Sequence, residues 1–107
     1  MENDQNIVIL ITTGTDGEAR RVAEALLEQR KAACVNIVPT VTSLFWWEGR
    51  IDSDQESLLI VKSKASSLDE IVSLVKEVHS YDVPEVIALP IIGGNPDYLS
   101  WIGEETK

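Results

Sequence analysis

The stretch that decides the fold is residues 33–64, ACVNIVPTVTSLFWWEGRIDSDQESLLIVKSK. Two extended runs meet at Glu48-Gly49, and a two-residue connection that contains Gly is typical of a β-hairpin. Runs of about twelve residues or more, at about 3.3 Å per residue, give arms of about 40 Å. A domain of this size has a radius of gyration of about 13 Å. We therefore predict that the tip of the hairpin projects from the domain.

Pairing across this turn divides the hairpin into two halves. If Trp47 faces Arg50, the inner half is apolar on both faces, with Ile37 opposite Ile60. A bulge at Pro39 would shift this inner register by one residue, because proline cannot donate to a strand ladder. The outer half carries three acids along one side: Asp52, Asp54 and Glu56.

The segments around the hairpin predict two more strands and three helices. Residues 6–13 form a continuous apolar run, which is typical of a strand buried on both faces. Residues 15–31 and 67–79 each begin with a capping-box pattern and carry one apolar stripe at helical spacing. Residues 86–92 predict an edge strand because they include a proline. A short helix follows, capped by Asn95.

This order, βαββαβ followed by a short C-terminal helix, predicts an α+β ferredoxin-like sandwich with an extended hairpin. We expect one domain over residues 1–107, in which residues 1–5 form a flexible N-terminal tail. Both long helices would cover one face of the sheet, although the first strand and the inner hairpin are apolar on both faces. Self-association covers the second face most simply. The hairpin residues expected to take part in assembly are Val38, Pro39, Leu44 and Phe45.

The charge of the chain excludes some classes of partner. Its 18 acidic and 9 basic residues give a formal net charge of −9. Nucleic-acid binding depends on Lys and Arg at phosphates, so we predict no nucleic-acid partner. The first apolar run is too short to span a membrane and lacks the basic start of a signal peptide. Cys34 is the only cysteine, so a cytoplasmic protein without a membrane partner is expected.

Four linked motifs resemble the CutA divalent-cation tolerance proteins. They cover nearly the whole chain beyond residue 6: KAACVNIVP (31–39), VTSLFWWEGRI (41–51), HSYDVPEVIALPI (79–91) and GNPDYLSWI (94–102). The resemblance implies a ferredoxin-like subunit and a homotrimer similar in architecture to the PII signalling proteins. It also implies a non-enzymatic role in tolerance of copper and other divalent cations.

Candidate metal ligands are few, because His79 is the only histidine and a transition-metal site needs three or four N, S or O ligands. Copper-binding members of the resembled family have a strand Cys and two adjacent histidines. Here those positions hold Ile11, Val78 and His79. His79 and Cys34 are therefore candidate ligands, with loop fixing and core packing as the respective alternatives. No cofactor is required, and Cu²⁺ or another divalent cation is the candidate ligand.

The three hairpin acids predict a weak surface for divalent cations, since hard cations prefer several carboxylate oxygens. A solvated strand face whose acids discourage edge pairing is the alternative. Aromatic side chains near subunit clefts predict a second function, a PII-like sensor that binds a small ligand between subunits. Plain interface packing is the alternative there. The predicted cleft-lining residues are Trp46, Trp47, Lys62, Tyr81, Glu85, Tyr98 and Trp101.

An enzyme is not predicted. Residues 13–17 lead into a helix N-terminus that can hold an anion, but they lack the lysine and spacing of a P-loop. An acylphosphatase-like enzyme would need an arginine in this loop, whereas Arg20 and Arg21 fall within the helix. The sequence also supports no Ser/His/Asp or Cys/His catalytic arrangement, because its single histidine would have to serve as the base in every case.

Overall fold

The computed structural model describes residues 4–107. One short 3₁₀ turn, Ala65–Ser67, joins the third strand to the second helix. The elements are β1 (Asn6–Thr13), α1 (Asp16–Glu28), β2 (Cys34–Trp47), β3 (Arg50–Lys64), α2 (Leu68–Val78), β4 (Val86–Pro90) and α3 (Pro96–Glu105). The predicted α+β ferredoxin-like order is confirmed.

The four strands form one antiparallel sheet in the order β2-β3-β1-β4. Both α1 and α2 pack on one face, and the buried core there is formed by side chains such as Ile9, Leu26, Leu59 and Ile71. The short helix α3 lies across one end of the sheet, where the amide of Asn6 donates to the Leu99 carbonyl at 3.4 Å. Within residues 4–107, no helix covers the rest of the second face.

The hairpin projects as predicted and gives the molecule a length of 46 Å against 25 and 22 Å in the other directions. Its turn has positive φ at both central residues, 50° at Glu48 and 83° at Gly49. This combination is that of a type I′ turn, whose twist matches the right-handed twist of the strands.

The outer half of the hairpin has the predicted register, but the predicted inner register is wrong by one residue. Ile37 pairs with Leu59, one residue earlier than expected. The change occurs between Val38 and Val41, at the bulge for which Pro39 is the sequence signal. The alternative that places a bulge at this proline is therefore the correct one.

The bulge decides which side chains share a face of the hairpin. Ile37 packs towards the core together with Leu59. Because β2 then holds one extra residue, Phe45 and Trp47 lie on the opposite face, which they share with Glu56. Strict alternation from Ile37 would have placed the two aromatic side chains on the helix side.

The helix caps differ from their prediction in two places. Thr15 caps α1 as predicted, since its Oγ1 accepts a hydrogen bond from the Glu18 amide at 3.1 Å. The Glu18 carboxylate points instead to Ser80. The cap predicted at Ser67 is wrong, because this residue ends the 3₁₀ turn and its side chain makes no cap bond.

Part of the predicted N-terminal tail is tied to the domain. The Asp4 carboxylate accepts from the backbone amide of Ser66 at 3.1 Å, and the Gln5 amide donates to the Ile91 carbonyl at 2.8 Å. Residues 1–3 lie outside the described residues.

Candidate functional site

A groove of about 490 Å³ lies between the outer half of the hairpin and the loop of residues 79–85. A second hollow of about 420 Å³ adjoins it and shares Phe45, Trp47 and Tyr81. We call the two together the hairpin groove. Its other main lining residues are Asp52, Asp54, Glu56, Asp82, Val83 and Glu85.

Tyr81 and Glu56 join the two walls of the hairpin groove. The Tyr81 hydroxyl donates to Glu56 Oε2 at 2.8 Å, and Glu56 is only 9% exposed. Burial, this hydrogen bond and the nearby carboxylates raise the pKa of Tyr81 to about 12. A Cβ at Gly14 would lie 3.3 Å from the Tyr81 hydroxyl, so a residue without a side chain allows the ring to cross there.

The carboxylates of the hairpin groove interact electrostatically. Burial, and then the charge on Glu56, raise the pKa of Glu85. The Tyr81 hydroxyl donates to Glu56 Oε2. The other carboxylate oxygen, Oε1, accepts no hydrogen bond from residues 4–107. A carboxylate oxygen is thus available to a ligand in the groove.

A buried network behind the loop wall fixes the position of Tyr81. The Glu18 carboxylate accepts from the Ser80 amide at 2.6 Å and from the Ser80 hydroxyl at 3.1 Å. Burial by itself would raise the pKa of Glu18, but the two hydrogen bonds from Ser80 lower it below its ordinary value. Glu18 therefore holds a charge beneath the loop.

His79 uses both ring nitrogens in this network. Nε2 lies 2.7 Å from the Thr12 carbonyl oxygen and must donate to it, since a carbonyl can only accept. Nδ1 accepts from the Tyr81 amide at 3.0 Å. A metal ion at either nitrogen would have to displace one of these bonds.

The structure does not bring His79 and Cys34 together. Cys34 pairs with Lys62, whereas Thr12, the partner of His79, pairs with Leu58. Four residues along β3 correspond to about 13 Å. Within residues 4–107, no group of three or more His, Cys, Asp and Glu side chains is arranged to hold a metal ion. Within one subunit, the imidazole and the thiol that copper would prefer as ligands are therefore too far apart to form a copper site.

The residues predicted to line a cleft lie in three separate places. Trp47, Tyr81 and Glu85 line the hairpin groove, together with the three acids predicted as a cation surface. Trp46 lies on the opposite face of β2 and is 73% exposed. The others lie at the α3 end of the sheet, where Tyr98 contacts Cys34 and packs on Trp101 with ring centroids 5.4 Å apart, and where Lys62 donates to Asn36.

Several contributors to the groove are absent from the predicted cleft set. Phe45 is predicted to take part in assembly and not in a cleft. The sequence predicts no role for Asp82 and Val83, because they belong to a loop whose path no local pattern specifies. In the sequence, Thr15 and Glu18 form the capping-box pattern of the first helix, which predicts no role for Glu18 in the groove. No sequence signal identifies its role, because the burial of Glu18 and its bonds to Ser80 are visible only in the structure.

Comparison with known proteins agrees with this architecture. A sequence model of the CutA1 divalent ion tolerance protein family matches residues 7–105. A Thermus thermophilus protein named divalent-cation tolerance protein CutA is 48% identical over 99 residues, which cover 92% of this chain and 96% of that protein. The rice chloroplastic protein CutA 1 is 47% identical over 102 residues, but the chain spans only 58% of its length.

Solved structures give the same result. The crystal structure of CutA1 from Oryza sativa matches with a TM-score of 0.94 and 46% identity, covering 97% of this chain and 95% of that one. The Thermus thermophilus protein matches with a TM-score of 0.93 and 47% identity, covering 95% and 99%. In residues 4–107, no helix has the length and apolar character to cross a membrane. The predicted resemblance is confirmed, and the chain belongs to the CutA1 divalent ion tolerance protein family.

Proposed function

We propose that this protein acts in divalent-cation tolerance as a non-enzymatic homotrimer that binds divalent cations at the carboxylates of the hairpin groove. The observation that carries the proposal is the pair formed by Glu56 and Glu85, which line one groove, where burial and then the charge on Glu56 raise the pKa of Glu85. A bound cation relieves the repulsion between the two carboxylates. The names of the Thermus thermophilus and related proteins, divalent-cation tolerance protein CutA, support the cellular role.

The donor set suits a hard divalent cation better than copper. Such ions take carboxylate oxygens and complete their coordination with water, and the groove offers Glu56, Glu85 and Asp54. One subunit supplies too few preformed ligands for a tight site, so we expect weak binding. Copper would favour imidazole and thiolate, yet His79 is fully hydrogen-bonded.

Assembly is supported by the uncovered second face of the sheet. Ile87 and Leu89, on the second face of β4, are 51% and 48% exposed. Leu44, Trp46 and Ile51, on the opposite face of the hairpin tip, are exposed as well. These exposed apolar side chains support the proposal that copies of the chain pack together. The family resemblance implies three subunits. We place the protein in the cytoplasm, since its single cysteine is free and reduced thiols are typical of that compartment.

Calorimetric titration of the chelator-treated, full-length protein with Mn²⁺ tests the cation site. We expect Glu56→Gln and Glu85→Gln each to weaken Mn²⁺ binding about tenfold or more, as the loss of a metal-contacting group generally does. Glu24→Gln removes an exposed acid on α1 and is the matched control. Equal Mn²⁺ affinity in all three variants would overturn the proposal.

A second candidate function is a sensor for a small organic ligand. The observation that favours it is the apolar wall of Phe45, Trp47, Tyr81 and Val83, which a metal ion does not need. Small-molecule sites of about 300–1,000 Å³ combine such walls with a few polar groups. A thermal-shift screen of metabolites with wild type and Trp47→Ala tests it. The candidate fails if no compound raises the melting temperature of wild type selectively.

A further inference from the structure

The hairpin groove has a lining of unusual chemical bias. Within one subunit it combines three aromatic rings with five carboxylates, and no Lys, Arg or His from residues 4–107 of that subunit lines either hollow. We propose that its ligand is an organic ammonium ion, an amine or quaternary ammonium with an apolar body. The inference rests on the second function proposed above, ligand binding in this groove, and specifies the class of ligand.

The charge of the groove sets the sign of the ligand. Glu56 is buried, and its Oε1 has no donor within residues 4–107, while Oε2 is held by Tyr81. This free oxygen is an acceptor for an N–H⁺ group. Glu85 lines the same groove, where burial and then the charge on Glu56 raise its pKa. An anionic ligand would be repelled, and a neutral ligand would leave the repulsion between the acids in place.

The aromatic residues set the shape of the ligand. Phe45 and Trp47 are two residues apart on β2 and share a face, and Tyr81 closes the groove from the loop. Aromatic faces attract a cation through the ring quadrupole, and Trp does so most strongly. Their apolar area also rewards burial of carbon. A ligand that has both a cationic head and an apolar body uses the two kinds of wall together.

A metal ion alone uses only part of this site. A water molecule occupies about 30 Å³ in the liquid, whereas the larger hollow measures about 490 Å³. A hydrated ion would contact the acids and leave the ring faces of Phe45 and Trp47 wet. The volume and the aromatic wall therefore favour an organic cation as the occupant that fills the groove.

Three probes of nearly equal size test the proposal by calorimetric titration at pH 7: phenethylamine, which is cationic, 2-phenylethanol, which is neutral, and 3-phenylpropionate, which is anionic. We expect phenethylamine to bind about tenfold or more tightly than 2-phenylethanol, in keeping with the contribution of one desolvated cation–π contact. We expect no heat from 3-phenylpropionate. Equal binding of the cationic and neutral probes, or no binding of any probe, overturns the proposal.

Variants at neighbouring positions locate the site. Trp47→Ala is expected to weaken phenethylamine binding about tenfold, whereas Trp46→Ala, on the opposite face of the same strand, is expected to leave it unchanged. Light scattering on both variants verifies that their assembly matches wild type. Equal losses in the two variants, or no loss in Trp47→Ala, contradict the assignment.

Mn²⁺ titration of Trp47→Ala separates this inference from the cation proposal. The indole contributes no metal ligand, so Mn²⁺ affinity is expected to persist while phenethylamine binding is lost. Loss of Mn²⁺ binding only in Glu56→Gln and Glu85→Gln supports the metal site. Retained phenethylamine binding in Trp47→Ala sinks the organic-cation site alone.

Discussion

Glu18 is the residue on which the loop wall of the hairpin groove depends. Glu18 lies in the N-terminal turn of α1, where its backbone amide donates to the capping residue Thr15. Its carboxylate accepts two hydrogen bonds from Ser80. Tyr81 follows directly and donates to Glu56 across the groove. A charge buried under α1 thus positions a hydroxyl on the opposite side of the loop.

Replacement of Glu18 by Gln should destabilise the fold by about 2–3 kcal/mol at pH 7, because an amide cannot accept both bonds from Ser80 and hydrogen bonds to a charged group are worth about 1.5–3 kcal/mol. The effect should depend on pH. The folded pKa of Glu18 lies below its ordinary 4.5, so its stabilisation is full above that value and is lost as pH falls through the lowered pKa.

Urea unfolding of wild type and Glu18→Gln at pH 7 and pH 3, at one protein concentration, measures this difference. The gap in the free energy of unfolding should narrow at pH 3. Ser80→Ala, which removes only the hydroxyl partner of Glu18, should cost less than Glu18→Gln at pH 7. A gap of equal size at both pH values would show that the charge on Glu18 is unimportant.

Single residues of the groove were predictable to the extent that their chemistry is local. Trp47 and Tyr81 are amphipathic aromatic side chains, which commonly line pockets, and the family motifs that contain Tyr81 and Glu85 support their place in the predicted cleft. The link from Glu18 to Ser80 spans 62 residues. No spacing rule connects two such positions, so the sequence offered only the capping-box interpretation.

Among the elements, the hairpin shows how one irregularity directs a surface. The bulge next to Pro39 shifts the inner register and gives Phe45 and Trp47 the same face as Glu56. Its position was foreseeable, because proline in a strand favours a bulge or an edge. The one-residue shift was foreseeable only as an alternative, since alternation patterns on a strand apolar on both faces do not distinguish neighbouring registers.

The turn of the hairpin can be improved without touching the groove. Glu48 has a φ of 50°, a conformation that costs most side chains about 1–2 kcal/mol and that Asn tolerates better. We expect Glu48→Asn to raise the free energy of unfolding by about 0.5–1 kcal/mol. Thermal unfolding measures this gain.

Glu48→Ala is the matched control for this prediction, because it removes the same charge and keeps the unfavourable backbone. If the Asn and Ala variants melt at the same temperature, the positive φ of Glu48 is not a source of strain.

In the whole molecule, only one face of the sheet is fully covered by the chain's own helices. The helices α1 and α2 complete the core face, whereas on the second face α3 covers one end and leaves Ile87 and Leu89 exposed. The apolar run of β1 predicted such a second face from sequence alone. The number of subunits depends on the angle between copies, which no local pattern encodes.

Leu89→Asp should therefore break the proposed homotrimer. Light scattering on wild type is expected to give about three times the 11.8 kDa chain mass, and the variant a smaller mass, because a carboxylate is costly to bury. Leu27→Asp is the matched control, since Leu27 is a similarly exposed leucine on α1, outside the uncovered face. A monomeric wild type, or a variant with unchanged mass, would contradict the assembly.

The alternation of side chains at the hairpin tip has an optical consequence. Trp46 and Trp47 are adjacent in sequence, yet Trp47 lines the groove and Trp46 lies on the reverse face. With Trp101 changed to Phe, a protein that keeps only one of the pair emits from a single surface. The emission wavelength of Trp47 would then follow ligand entry, and that of Trp46 would follow burial at the tip. Two events on opposite sides of one strand become separately visible in time.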